Sequence, residues 1–223
     1  MANLSLNNEA KSKAREKFLR FFPNGFNDEK YISWERGYKW QAHLLWKSLL
    51  NKDQFSYLLM HKKYEEIAKL ALSIEGKTNL LFSFEKMAIR DALKTPEACK
   101  QFAEGVFNFL HGKEKKSERF IQYTQIIAAL PRKQTRVLTW PLVTVFGFIA
   151  EPKHFIFLKP NVTKIAAANY GYNFEYQSQP NWKTYKNLVN FAGQIKSDLI
   201  DLKPKDYIDL QSFIWTLGSQ EYE

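Results

Sequence analysis

Between residues 27 and 50, large apolar side chains return at helical spacing: Tyr31, Trp34, Tyr38, Leu45 and Leu49. Steps of three, four and seven residues put all five on one stripe of an α-helix, and the pattern predicts that this stripe is buried. Asn27 reads as the N-cap, with Asp28 and Glu29 in the first turn, where they complement the helix dipole. The same periodicity predicts helices over 9–21, 53–60, 62–74 and 79–94. Thr95-Pro96-Glu97 opens another, with a capping threonine and a proline at the first helical position, and it ends near Gly112. Residues 117–130 follow until Pro131 stops them. Residues 138–150 are almost wholly apolar and predict a buried helix. Asn161 reads as the cap of a helix to 168, and 184–202 and 206–217 complete the set, the last capped by Asp206.

Two short runs depart from this pattern. HFIFL (154–158) and YNFEY (172–176) are β-prone and predict a two-stranded ribbon. The expected fold is mainly α: one compact multi-helix domain over 9–223, a disordered segment at 1–8, and a charged link at 112–116 where a sub-domain boundary would fall. No run of about 18 apolar residues is present, which predicts that nothing spans a bilayer. A single cysteine, Cys99, fits a reducing compartment, and the expected location is cytoplasmic.

Charge changes the picture more than size does. The net charge is +10, and 16% of residues are aromatic. Ten Lys and Arg stand against three acids in residues 113–164, whereas residues 165–223 carry five against seven. An excess of this kind attracts polyanions through Coulomb forces and counterion release. Basic residues interleaved with aromatics suit a groove that tracks a nucleic-acid backbone and stacks its bases. Arg132, Lys133, Arg136, Lys159 and Lys164 are the candidate phosphate contacts; Trp140 and Trp182, the latter read as lying on a loop, are the candidate stacking residues. The expected partner is nucleic acid, DNA before RNA, with no membrane.

Several chemistries find no support in the residues. There is no glycine-rich phosphate loop and no GxSxG elbow. The four histidines (43, 61, 111 and 154) form no HxH or HxxxH pair, so neither a metal nor a cofactor is expected. Carboxylates remain. Glu35, in SWERGYKW, sits among three aromatics and two cations and is either a carboxylate with a tuned environment or an exposed partner of Lys39 at i+4. Asp206, followed by Asp209, is either a catalytic carboxylate beside a basic groove or an N-cap.

From Leu138 onward the chain resembles an uncharacterised bacterial protein family, through TWPLVTVFGFIAEP (139–152), HFIFLKPNVTKIAA (154–167), PNWKTY (180–185) and KPKDYIDLQSFIW (203–215). Pro204-Lys205-Asp206 is also similar to helical, helix-hairpin-helix DNA glycosylases, which place a catalytic aspartate at a helix start shortly after a proline. That similarity implies a base-excising hydrolase with Asp206 stabilising the cation that develops on the sugar. Flipping a base needs a basic groove, an aromatic pocket and a carboxylate, and no metal or nucleotide cofactor. Three readings stand: a DNA-acting, monofunctional glycosylase-like enzyme; a non-catalytic nucleic-acid-binding module of a restriction or phage-defence system; and a helical protein–protein adaptor.

Overall fold

Side-chain caps start most of the long helices. In the computed structural model, which describes the backbone from Ala2 to Glu223 and the side chains from Asn8 onward, these helices number eleven. They are α1 (Ala2–Phe21), α2 (29–49), α3 (Lys52–Met60), α4 (Tyr64–Glu75), α5 (Ser83–Ala92), α6 (Pro96–His111), α7 (Lys116–Ala129), α8 (Trp140–Ala150), α9 (Pro160–Asn169), α10 (Trp182–Asp198) and α11 (Tyr207–Gly218). Asp28, Asn51, Thr95, Thr139, Asn181 and Asp206 accept from first-turn amides of α2, α3, α6, α8, α10 and α11, which supplies partners for donors that the helix itself leaves free. The α2 cap is thus Asp28, because Asn27 is spent in a 3-10 turn (Gly25–Asn27). Helix α9 starts one residue before Asn161, with Pro160 at its first position. The 1–8 segment falls largely on residues whose side chains lie outside those described.

Helix α8 is buried along its whole length and packs against α2, α4, α5, α6 and α7. Helix α11, also mostly buried, packs against α1, α9, α10 and the first part of α2. Helix α2 therefore touches both groups, and one continuous apolar cluster runs from Ala14 to Tyr222. No described helix is long and apolar enough to cross a membrane.

The buried stripe of α2 differs from the expected one by a single position. Trp34, Leu45 and Leu49 are exposed, at 56%, 38% and 40%, while Glu35, Lys39, Trp46 and Leu50 are buried. The cause is a π-helical turn at Ile32–Arg36, closed by the Gly37 amide on the Ile32 carbonyl. A π turn holds one residue more than an α turn, so it retards everything after it by about 100°. Tyr31, ahead of the turn, keeps its predicted place inside. The inward face is displaced to one side of the expected stripe, and it carries Glu35, Arg36 and Lys39.

The expected ribbon does not form, and no strand occurs among the described residues. The two β-prone runs are extended, but amides along them, buried ones in the first run, are satisfied by side chains from helices. Ile156 N–H donates to the Tyr185 hydroxyl (3.1 Å) and Leu158 N–H to Thr144 Oγ1 (3.0 Å). In the second run Glu175 N–H donates to Asn187 Oδ1, and one residue beyond it Gln177 N–H donates to Thr184 Oγ1. With donors already paired, a ladder has nothing to gain. Trp182, expected on a loop, is the first residue of α10, because Asn181 caps that helix and starts it two residues earlier than the apolar pattern suggests.

Helices α9 and α11 cross at Gly218, where a Cβ would lie 2.1 Å from the Val162 carbonyl oxygen. Only a hydrogen fits there. Gly218→Ala is expected to push the helices apart and cost about 2–3 kcal/mol by overpacking, read as a lower urea midpoint with an unchanged far-UV spectrum.

Candidate functional site

The π turn of α2 faces the first turns of α11, and the two exchange charged hydrogen bonds across a buried seam. Arg36 binds Asp206 through both guanidinium ends, Nη1 to Oδ1 at 2.9 Å and Nη2 to Oδ2 at 2.7 Å, and also reaches Asp209 Oδ1 at 2.6 Å. Asp209 accepts in addition from the Tyr31 hydroxyl (2.5 Å) and the Lys205 amide (2.7 Å). One turn along, Lys39 Nζ donates to Glu35 Oε2 and to Ser212 Oγ, each at 2.8 Å, and the Tyr222 hydroxyl donates to Glu35 Oε1 at 2.5 Å. Three carboxylates face two cations, and the remaining negative charge is held by hydroxyl and amide donors, as a buried carboxylate requires.

Protonation follows from these contacts. Burial opposes the charge on Arg36, but Asp206 and Asp209 outweigh it and push its pKa up, so it stays a cation. Burial pushes the Lys39 pKa down, and Glu35 pulls it partly back. Burial, reinforced by Asp209 for Tyr31 and by Glu35 for Tyr222, raises both phenols, which therefore remain donors.

Beside the Glu35 end of the seam lies a cavity of about 700 Å³. Trp34, Tyr38, Phe82, Phe157, Trp215 and Tyr222 give it aromatic walls, and Glu35, Lys39, Gln211 and Lys159 give it polar groups. Gln211 is 4% exposed, and its Oε1 accepts no hydrogen bond. A buried acceptor without a partner costs roughly 1–3 kcal/mol, which a ligand donor would recover. Phe82, Lys159 and Trp215 also border a second cavity, of about 350 Å³, that ends at Arg136, Asn161 and Tyr176.

The sequence-predicted residues therefore separate. Glu35 lines the larger cavity and does pair with Lys39, but as a buried pair rather than an exposed one. Asp206 caps α11 and is bound by Arg36, and it lines neither cavity. Arg132 and Lys133 are exposed, Arg136 is exposed at the end of the second cavity, and Lys164 is exposed near the Tyr176 ring. Lys159 is not a free cation: it is buried, donates to Glu85 (3.0 Å) and the Leu80 carbonyl (3.1 Å), and fastens the 78–85 segment to the 155–159 run. Burial pushes its pKa down, against the pull of Glu85. Trp140 is 1% exposed, with its indole N–H on the Gln177 carbonyl, so it has no face to stack on a base. Trp182 packs its ring against Phe120 and Tyr185.

The stacking surfaces that the sequence reading missed are Trp34 and Phe82, exposed at 56% and 52%, together with Trp215. Arg36, Gln211, Ser212 and Tyr222 were missed as well. The repeat Tyr31, Glu35, Lys39, Ala42, Trp46 carries helical spacing, but its charged members disguise it as a solvent face. Comparisons with protein-family models, with curated proteins and with solved structures give no match to this chain.

Arg36→Met would leave Asp206 and Asp209 buried without their cation. The expected loss is about 3–5 kcal/mol, the usual result of removing one partner of a buried pair, measured by urea denaturation. Lys164→Met, at an exposed lysine, is expected to stay within about 0.5 kcal/mol of the parent.

Proposed function

We propose that the protein acts on DNA as a monofunctional base-excising hydrolase that takes an extruded nucleobase into the aromatic cavity, with Glu35 as the carboxylate available for chemistry. The observation that carries this reading is the unpartnered Gln211 Oε1 in an aromatic-walled cavity that also contains Glu35. A nucleobase is planar and largely uncharged, and it offers ring and exocyclic N–H donors. Aromatic faces at Trp34, Phe82 and Trp215 suit its π surface, and Gln211 suits one of its donors. The exposed cations Arg132, Lys133, Arg136 and Lys164 would hold backbone phosphates at the rim.

In the reaction, water forms a bond to C1′ of the sugar as the C1′–N bond breaks. Glu35 stabilises the oxocarbenium-like centre and takes the proton released by water. The departing base nitrogen takes a proton from solvent, and Glu35 returns its proton to solvent, so that one water is added across the bond. Tyr222 and Lys39 hold the carboxylate in place, one on each oxygen. This assignment moves the chemistry from Asp206 to Glu35, since Glu35 lines the larger cavity and Asp206, held by Arg36 and the cap, lines neither.

A second reading, a non-catalytic nucleic-acid-binding module of a defence system, is favoured by one specific observation. Both Glu35 oxygens already have partners, as in a carboxylate that only holds structure together. Incubation with single- and double-stranded DNA carrying a panel of modified and damaged bases, followed by alkali, separates the two. Strand breaks at abasic sites are expected, reduced about 100-fold or more in Glu35→Gln. The double variant Glu35→Gln with Lys39→Met, which leaves no unpaired buried charge, is expected to lose activity while melting cooperatively. Asp206→Asn is expected to keep excision in proportion to its folded fraction. Intact DNA across the panel, with binding that weakens steeply in salt, would establish the binding module instead.

A further inference from the structure

A third cavity, of about 370 Å³, shares no residue with the two around Lys159. It lies where α6 ends, α7 begins and the chain leaves α8, and it is lined by His111, Lys116, Arg119, Glu151, His154 and Phe155 together with Leu110. Lys116 and Arg119 are committed only to backbone. Lys116 Nζ donates to the His154 carbonyl and lies 4.4 Å from the centre of the Phe155 ring. Arg119 donates to the carbonyls of Phe109 (2.6 Å) and Glu114 (3.2 Å). Among the described residues neither meets a carboxylate at ion-pair distance, whereas Arg36, Lys39 and Lys159 each do.

Three further features point the same way. His111 Nε2 is buried without a hydrogen-bond partner. Helix α7, fourteen residues long, begins at Lys116 with no side-chain cap, so its first-turn amides add a positive end to the cavity. Burial, followed by the charges of Arg119 and Lys186, pushes the Lys116 pKa down to about 8, as expected of a desolvated cation with no acid to offset it. Glu151 is the single acid in the lining. A metal ion is disfavoured, since His111, His154 and Glu151 form no metal-holding group and two cations stand beside them.

We propose that this cavity is a phosphate-binding site, in which Lys116 and Arg119 neutralise the anion and His111 and the start of α7 donate hydrogen bonds to it. The ligand is a phosphate group, and its two sources are a nucleic-acid backbone and a free phosphorylated small molecule. This site is independent of the base-excision reading, and neither residue set appears in the other.

Calorimetric titration of the full chain with inorganic phosphate at pH 7 tests it. Binding is expected, weakened about tenfold in Lys116→Met, which keeps an apolar stem over Phe155 and loses one charged contact. It is expected to be unchanged in Glu35→Gln. Circular dichroism and melting of Lys116→Met establish that the variant is folded. From pH 7 to 9 phosphate becomes no less negative, so affinity that falls over this range reports the proton leaving Lys116. Arg119, Lys186, His111, His154 and Glu151 also face or flank that ammonium, and all remain in Lys116→Met, so the fall is expected to disappear in that variant. Displacement of phosphate by a short DNA oligonucleotide identifies a backbone phosphate as the ligand; displacement by a mononucleotide alone identifies a free phosphorylated molecule. Absence of phosphate binding, or equal binding by folded Lys116→Met, overturns the proposal.

Discussion

Arg36 sits between two aspartates that reach it from the first turn of α11, and its position depends on the extra residue in the π turn of α2. That turn displaces the inward face of α2 toward Glu35, Arg36 and Lys39, and α11 meets it with matching charges and hydroxyls. Desolvating a guanidinium and two carboxylates is costly, and the expense is offset only because their donors and acceptors are matched. Such a seam tolerates one alignment of its helices, where an apolar contact would accept several. It therefore fixes the register of α2 against α11, and through Lys39, Ser212 and Tyr222 it fixes the wall of the large cavity.

Two kinds of positive charge coexist in the molecule. Arg36, Lys39 and Lys159 are buried and matched by carboxylates, and they act as fasteners between segments distant in sequence. Arg132, Lys133, Arg136 and Lys164 are exposed, while Lys116 and Arg119 line a recess without a matching acid. The surplus of +10 is carried by cations without a matching acid, of which these six are a part, and that is the charge that acts on an approaching polyanion. A count along the chain does not separate the two, and the contrast between Lys159 and Lys164, five residues apart, shows why.

Most helices, and the caps at Thr95 and Asp206, were legible because both are local. Thr95-Pro96 and Asp206 act within one turn of chain, whereas Asn27 and Asn161 resemble caps in sequence but lie one residue away from the actual cap Asp28 and the first helical residue Pro160. The inward face of α2 was not legible, since Glu35 and Lys39 give its repeat the look of a solvent face and the carboxylate that pairs with Arg36 lies 170 residues away. Glu35 was recognisable as an unusual carboxylate from its aromatic and cationic neighbours, yet nothing local shows that it is buried against Tyr222, 187 residues away. Asp206 looked catalytic for the reason that makes it a good cap, a short acid at a helix start, and only its pairing with Arg36 separates the two roles. Trp140 and Trp182 were misread because an aromatic beside lysines looks the same in sequence whether it faces core or solvent.

The extended run from Phe155 to Leu158 has a further consequence. Its amides are held by hydroxyls from α8 and α10, so Thr144 and Tyr185 serve as surrogate backbone as well as core packing. Valine and phenylalanine match their shapes closely, yet either would leave a buried amide without an acceptor. The usual rule that size and hydrophobicity decide what a core position accepts is suspended at these two sites. Homologous chains would be expected to drift freely among Leu, Ile and Val around them while keeping an oxygen at both. The same arrangement denies the run an open edge, so a segment rich in β-forming residues offers a neighbouring chain no template for pairing.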